Sequence, residues 1–218
     1  MKISIIGTGM IATEVIKMLR NEAKGIEISS IFSHSNKQKA LTLAKENDID
    51  HVYTDYAQLL KEDDADFVYI ALVNNAHYTY VRQALEAQRN VIVEKPFTST
   101  LEEAKLLAQM ARERGLYLFE AVTPLHTPNF QLVKQSLKRI APIHFAQCNF
   151  SQYSSRYERY LQGDIAPAFN PELGGGALND LNVYNINIIV GLFGEPIANQ
   201  YFANHGHNGV DTSGIMGL

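Results

Sequence analysis

The sequence predicts an α/β protein whose first half is a doubly wound parallel sheet. Two observations support this prediction: strand-like and helix-like segments alternate through about residue 120, and the first strand runs directly into a glycine-rich turn. Strands connected through helices in this way are parallel and carry helices on their sheet faces. The alternation stops near Ala121, so we expect one domain over residues 1–120 and a second domain over residues 121–218.

Each predicted element follows from a local pattern. Strands are β-rich apolar runs, and helices show apolar residues three to four positions apart, as in the first helix. Ser99 with Glu102, or Thr100 with Glu103, has the spacing of a capping box. The predicted strands are Lys2–Ile6, Ile26–Phe32, Phe67–Leu72, Val91–Val93, Tyr117–Phe119 and His144–Phe150; the predicted helices are Lys37–Asn47, Tyr78–Gln88, Leu101–Arg114 and one starting at Ala177; and the apolar face of the first helix is Ile11, Val15, Met18 and Leu19.

Composition excludes several classes of function. The chain has 218 residues, 46% of them hydrophobic, and a net charge of −4, so nothing basic indicates a nucleic-acid partner. No run approaches the roughly 18 apolar residues of a membrane helix, and no charged-then-apolar leader is present. We therefore expect a cytoplasmic protein without a membrane partner. The single cysteine, Cys148, is predicted to be a small buried residue on a strand, and no metal site is expected.

The glycine-rich turn has the spacing typical of dinucleotide binding. Gly7 would allow the turn, Gly9 would let the backbone approach a pyrophosphate, and Ala12 would keep the helix close to the strand. Amide groups at the start of the helix would favour the anion. The predicted cofactor contacts here are Gly7, Thr8, Gly9, Met10 and Ile11.

The end of the second strand bears on the choice of cofactor. An NAD site usually places an acid about twenty residues beyond the glycines, where it binds the ribose 2′-hydroxyl. The run from Ile31 to Lys37 has no acid and instead offers hydroxyls, an imidazole and a lysine. This pattern favours NADP over NAD, with Ser33 and His34 as the predicted contacts, although an ordinary polar turn would have the same composition.

A lysine follows the predicted strand Val91–Val93, between a carboxylate and a proline. In a dinucleotide-binding domain Lys95 is a candidate catalytic group, whereas elsewhere it would be a solvated residue after a strand. Glu94 is predicted to contact the cofactor or the surrounding backbone. After the predicted strand Phe67–Leu72, His77 either caps a helix or faces the nicotinamide, with Asn74 beside it as a polar contact.

Polar residues share one face of the helix that follows Gly174–Gly176. Asp180, Tyr184 and Asn187 lie at positions i, i+4 and i+7, so we expect all three to face a substrate. The glycines would let the backbone approach a ligand or another element. A capped, partly exposed helix with incidental polar residues is the alternative.

Together these motifs resemble the glucose-fructose oxidoreductase, inositol dehydrogenase and MocA family of nicotinamide-dependent oxidoreductases. The resemblance implies a Rossmann domain followed by an α+β domain with a large, mostly antiparallel open sheet, a nicotinamide near Lys95 and a homo-oligomer. The motifs in family order are Gly7–Ala12, Asn74 with His77, Glu94–Pro96, Asn170–Gly176 and Asp180 with Tyr184.

The chemistry expected from this resemblance is hydride transfer between the nicotinamide and a secondary alcohol or carbonyl of a sugar, polyol, inositol or related cyclic alcohol. Tyr184 would exchange the hydroxyl proton, since a nearby Lys95 ammonium favours the phenolate, and Asp180 would hold the lysine or the substrate. A dinucleotide-sensing regulatory or scaffold protein, or an inactive short member, is the alternative on the same fold.

The sequence departs from the family pattern at four places. Val73 stands where proline is common, and Tyr184 stands where many members have histidine. Asn182 replaces a usual glycine, and we expect it to accept a left-handed conformation. The chain stops at Leu218 while relatives continue for roughly another hundred residues, which predicts an incomplete second domain.

Overall fold

The computed structural model describes residues 1–218, which divide into two compact units, residues 1–121 and 122–218. Each unit is described by itself. The strands are β1 (Lys2–Ile6), β2 (Glu27–Phe32), β3 (His51–Tyr53), β4 (Phe67–Ile70), β5 (Asn90–Val93), β6 (Leu118–Glu120), β7 (Gln200–His205) and β8 (Asp211–Gly217). The helices are α1 (Met10–Glu22), α2 (Lys37–Glu46), α3 (Tyr56–Glu62), α4 (His77–Glu86), α5 (Leu101–Arg114), α6 (Pro128–Ile140), α7 (Tyr157–Leu161) and α8 (Val183–Phe193).

The first unit is built on one six-stranded sheet with the order β3-β2-β1-β4-β5-β6. All five strand pairings are parallel. The chain moves outward from β1 to β3, returns to β4 on the other side of β1, and continues to β6. This arrangement confirms the predicted doubly wound α/β fold, and it places the ends of β1, β2 and β4 next to one another.

Two hydrophobic cores cover the two faces of this sheet. Helices α1 and α2 pack on one face, where Ile3 and Ile5 of β1 point. Helices α3, α4 and α5 pack on the other face, toward which Ile6 points. The alternation of β1 side chains between the cores is the two-residue period of a strand buried on both sides.

The apolar face predicted for α1 was partly wrong. The buried residues of the helix are Ala12, Val15, Ile16 and Leu19, whereas Ile11 and Met18 are exposed. The small Ala12 is fully buried because α1 lies close against β1, as the motif requires. The helix is therefore rotated slightly from the predicted orientation, which leaves its first turn open to solvent.

A buried carboxylate ties β1 and β2 to the end of α3. The Asp63 side chain accepts hydrogen bonds from the hydroxyls of Ser4, Ser29 and Ser30, and from the backbone amide of Ala65 at 3.1 Å. Three serines on otherwise apolar strands are explained by this network, because a buried charge is tolerated only when hydrogen bonds replace its water. The sequence pattern alone gave no indication of it.

The second unit contains helices and one antiparallel hairpin, β7–β8. Its small core is formed by Tyr160, Phe169 and Val210, with Tyr157 packed against them. The predicted strand His144–Phe150 was wrong: residues 141–150 have no regular secondary structure, and no backbone hydrogen bond joins them to another segment. A strand is defined by its pairing, so a β-rich run without a partner stays irregular. Cys148 is accordingly half-buried outside any strand.

Several elements were not predicted. Helix α6 begins at Pro128 with Thr127 as its cap, although the prolines had indicated only an irregular segment. Strand β3 and helix α3 are short, and β7 lacks clear alternation. Asn182 has a φ of −71°, so the left-handed conformation expected for it was wrong. No unusual backbone conformation therefore explains why asparagine stands where the family usually has glycine. No helix of the structure is long and apolar enough to cross a membrane.

Candidate functional site

The glycine turn lies where β1 ends between its two neighbours. The Gly7 amide donates to the Phe32 carbonyl at 2.9 Å, and Gly7 has a φ of +123°. A Cβ on Gly7 would lie 2.3 Å from the Ala71 carbonyl oxygen, so only glycine fits. A Cβ on Gly9 would meet no atom within 4 Å. The open side of this turn is therefore at Gly9, and the exposed Met10 and Ile11 flank it.

This turn has the properties that a dinucleotide pyrophosphate requires. The first helical bond of α1 runs from the Thr13 amide to the Gly9 carbonyl at 3.1 Å, so the amides before Thr13 have no acceptor within the helix. Those amides and the positive end of the helix dipole favour an anion over the turn. Because the space beside Gly9 is open, the residues present fit a dinucleotide.

The end of β2 meets the glycine turn. The Ser33 hydroxyl lies 3.5 Å from the Thr8 hydroxyl and accepts the Asn36 amide at 3.2 Å. Ser33 is only 5% exposed, so its side chain is used within the turn, whereas His34 and Lys37 are exposed. The structure thus brings Thr8 and Ser33 together, and it leaves His34 as the predicted ribose contact that solvent can reach.

The Glu94–Phe97 turn is held by hydrogen bonds from three other elements, β4, β6 and α4. The Glu94 amide donates to the Ile70 carbonyl at 2.9 Å, and the Tyr69 hydroxyl donates to the Glu94 carboxylate at 2.6 Å. The Phe97 amide donates to the Glu120 carboxylate at 2.9 Å. These bonds fix the backbone on both sides of Lys95, so the lysine projects from a rigid turn at the carboxyl end of β5.

His77 completes the attachment of this turn. Its Nδ1 lies 2.8 Å from the Pro96 carbonyl oxygen, and its Nε2 lies 3.3 Å from the Leu72 carbonyl oxygen. The ring is fully buried, and burial lowers the pKa of His77, although its carbonyl partners oppose this effect. The expected helix cap is not formed, because α4 has no side-chain cap. As placed, the ring offers a ligand no exposed surface, while Asn74 lies in the 3₁₀ turn just before it.

Glu120 is a site residue that the sequence analysis missed. It is on β6 opposite Val93, at a position where alternation along the strand predicts an inward-facing apolar residue. Burial raises the pKa of the Glu120 carboxyl, the nearby Glu94 raises it further, and the Phe97 amide opposes the shift. An acid at an apolar position of a short strand is the signal that could have identified it.

In the second unit, the glycines before α8 serve packing. A Cβ on Gly175 would lie 2.5 Å from the Pro167 carbonyl oxygen, and one on Gly176 would lie 1.9 Å from a carboxylate oxygen of Asp211. The sequence left open whether these glycines let the backbone approach a ligand or another element. The structure shows that they let it approach another element. Leu178–Asn182 then forms a π-helical turn that continues into α8.

Asp180 and Tyr184 lie on this continuous helical segment. The Asp180 amide donates to the Gly176 carbonyl at 2.9 Å, and the Tyr184 ring lies 5.6 Å from the Phe150 ring, measured between centroids. Asn187 donates its side-chain amide to the Val183 carbonyl at 2.9 Å, so this part of its side chain is engaged within the helix. The assignment of all three to a substrate stays a prediction.

Two histidines in and beside the β7–β8 hairpin are engaged in local structure. His205 ends β7, and its Nδ1 lies 3.1 Å from the Gly209 carbonyl oxygen. His207 stacks on Tyr160, with ring centroids 4.4 Å apart.

The fold and the glycine turn define the class of protein. A doubly wound sheet with this turn at the reversal of its strand order is a Rossmann-type nucleotide-binding domain. The model of the oxidoreductase family GFO_IDH_MocA, described as having an NAD-binding Rossmann fold, matches residues 1–122. The chain belongs to this family, which confirms the resemblance found in its motifs.

Individual relatives agree with this assignment. The chain is 34% identical over 215 residues to the uncharacterized oxidoreductase YgjR of Escherichia coli strain K12, covering 99% of this chain and 65% of that protein. It is 31% identical over 214 residues to the scyllo-inositol 2-dehydrogenase (NADP(+)) IolU of Bacillus subtilis strain 168, covering 97% of this chain and 65% of IolU. The chain therefore spans 65% of the length of both relatives.

A solved structure shows the same fold. The WlbA dehydrogenase from Chromobacterium violaceum, in complex with NADH and UDP-GlcNAcA, superposes with a TM-score of 0.81 at 17% identity. The match covers 99% of this chain and 62% of that chain, so the likeness in fold extends through both units.

Replacing Glu120 with glutamine should raise the melting temperature by about 2–5 °C at neutral pH, and by less near pH 4. The raised pKa means that the folded protein binds this proton more tightly than the unfolded chain does. Ionisation therefore destabilises the fold at neutral pH, and the penalty disappears as the pH falls below the ordinary glutamate pKa of about 4.3. Thermal unfolding at both pH values measures the difference.

The matched control is the same substitution at Glu102, an exposed carboxylate on α5. A stabilisation by Glu120→Gln that is equal at both pH values would contradict the argument, as would equal effects at Glu102 and Glu120.

Proposed function

We propose that this protein binds a nicotinamide dinucleotide at the Gly7–Ala12 turn and is an oxidoreductase that acts on secondary alcohols or their carbonyls. The observation that carries the proposal is the asymmetry of the turn: Gly7 is closed against the Ala71 carbonyl, while Gly9 faces open space. Membership of the oxidoreductase family supports the reaction class. The same proposal includes a small-molecule substrate of the sugar, polyol or inositol type, a cytoplasmic location and a homo-oligomeric assembly.

Bound at this turn, the nicotinamide would supply the hydride acceptor or donor. Lys95, held in its rigid turn, would present a positive charge to the substrate oxygen. Tyr184 would take or give the hydroxyl proton, and Asp180 would orient a substrate hydroxyl. Glu94 is held by Tyr69 and would face the cofactor with its remaining oxygen.

NADP is the cofactor we favour. No acid follows β2, and the exposed side chains there are those of His34 and Lys37, which can meet a 2′-phosphate. The relative IolU is named as NADP(+)-dependent, which agrees with this preference. Ser33 would act through the turn that it supports, because its hydroxyl is engaged with Thr8 and Asn36.

Replacing Gly9 with valine should weaken dinucleotide binding by at least about 100-fold without unfolding the protein. The valine side chain would fill the open space beside the turn, and Gly9 has a φ of −69°, which any residue adopts. Calorimetric titration with NADPH and NADH measures affinity, and thermal unfolding checks the fold. Gly7→Ala is the contrasting variant, since its methyl group meets the Ala71 carbonyl and should destabilise the sheet. No binding of either cofactor by the unsubstituted chain would refute the proposal.

Replacing His34 with aspartate should weaken NADPH binding by about tenfold more than NADH binding, because the added charge repels a 2′-phosphate. His34 is exposed, so the substitution avoids the burial of charge that Ser33→Asp would impose. His34→Asn is the neutral control. Equal losses of affinity for both cofactors would show that this turn does not distinguish a 2′-phosphate from a 2′-hydroxyl on the ribose.

Lys95→Met and Tyr184→Phe should each lower kcat by roughly two to four orders of magnitude, the usual scale for acid–base groups. Dinucleotide affinity should change little, because neither residue belongs to the glycine turn. Steady-state rates with NADP⁺ and scyllo-inositol, the substrate named for one relative, provide the first assay. Near-normal turnover in either variant would remove that residue from the proposed chemistry, and binding without turnover in the unsubstituted chain would favour a dinucleotide sensor.

A further inference from the structure

Asp211, the first residue of β8, is bonded to the start of the segment that carries Asp180 and Tyr184. Its Oδ2 accepts the Leu178 amide at 2.7 Å and the Tyr201 hydroxyl at 2.7 Å. Leu178 is the first residue of the π-helical turn, so its amide is one of those that a helix leaves without an internal partner. A carboxylate there also meets the positive end of the helix dipole.

The surroundings of Asp211 are shaped to keep the carboxylate in place. Gly176 has a φ of +120°, and a Cβ there would lie 1.9 Å from the Asp211 Oδ1. On the other side, Tyr201 reaches the carboxylate across Gly214, where a Cβ would lie 2.4 Å from the Tyr201 oxygen. Gly176 therefore makes room for the carboxylate, and Gly214 makes room for the tyrosine that binds it. Burial and the bond to Asp211 raise the pKa of Tyr201, as expected for a phenol that donates to an anion.

The π-helical turn depends on support from the hairpin. A π turn is rare in proteins and is commonly found at functional sites, because its backbone is less favourable than that of an α-helix. Here β8 contacts it at both ends: the Asp211 carboxylate binds the Leu178 backbone amide, and the Asn182 side-chain nitrogen Nδ2 lies 3.9 Å from the Met216 sulfur. Asp180 is in the middle of this turn, and its own amide is bonded to Gly176.

We propose that Asp211 is a positioning residue, which holds the π-helical turn Leu178–Asn182 on the β7–β8 hairpin and thereby sets where Asp180 stands relative to Tyr184. The role in catalysis rests on the proposed function. The role in holding the turn does not. Tyr201 orients the carboxylate, and Gly176 makes room for it.

Amide hydrogen exchange in the 218-residue chain tests the inference. Asp211→Ala should accelerate exchange at residues 178–182 by about 10- to 100-fold, the scale expected when a hydrogen bond to a charged group is lost. Exchange at residues 187–193 of α8 should stay within about twofold, since those amides have helical partners. Asp211→Asn keeps an oxygen for the Leu178 amide and should restore protection to within about threefold of the unsubstituted chain.

Asp164→Ala is the matched control, because Asp164 is an exposed carboxylate of the same unit that is paired with Arg159. It should leave exchange at residues 178–182 unchanged. Unchanged exchange in Asp211→Ala, or equal acceleration along all of α8, would overturn the inference, the second outcome indicating a general loss of structure.

Turnover with NADP⁺ and scyllo-inositol gives the second readout. Asp211→Ala should lower kcat by about tenfold or more while the KM for the dinucleotide stays the same, and Asp211→Asn should recover most of the rate. Failure of the proposed function would appear as no turnover in the unsubstituted chain. Failure of this inference would appear in the exchange data, or as an active Asp211→Ala variant with normal kcat.

Discussion

The contact between Gly7 and its two neighbouring strands is the constraint on which the first unit depends. The Gly7 amide is bonded to the Phe32 carbonyl at the end of β2, and its missing side chain leaves room for the Ala71 carbonyl after β4. Because β1 lies between β2 and β4, the strand order reverses around it, and a crevice opens at the carboxyl ends of the strands. The conformation of Gly7 thus decides how the end of β1 meets the ends of β2 and β4.

The Glu94–Phe97 turn follows β5 and is held in place by side chains of other elements. Each of its supports comes from a different part of the chain: Tyr69 from β4, His77 from α4 and Glu120 from β6. Because the supports come from three elements that pack in one hydrophobic core, the position of Lys95 does not depend on the turn's own flexibility. Such support suits a charged group whose distance from a reacting atom has to be constant, since small displacements of reacting groups cost large factors in rate.

Local signals explain what the sequence could predict. Helix α5 begins and ends where predicted, since Thr100 and Glu103 form a capping box and Gly115 takes a left-handed conformation after the last turn. Tertiary pairing explains the failures. The β-rich run His144–Phe150 has no strand beside it, and Ser33 is turned inward by bonds that depend on the meeting of β1 and β2. Asp211 could not be assigned for the same reason, because its partner Leu178 is distant in the sequence.

The two glycine motifs of this chain look alike in sequence and serve different purposes. In the first unit, a side chain on Gly9 would meet nothing, so the motif opens space for a ligand. In the second unit, side chains on Gly175 and Gly176 would collide with the Pro167 carbonyl and the Asp211 carboxylate, so the motif lets elements approach one another. Glycine spacing alone does not distinguish these cases, whereas the atoms that a Cβ would meet do. The distinction supports the proposed dinucleotide site at the first motif and a packing role for the second, where Asp211 binds the start of the segment that carries Asp180 and Tyr184.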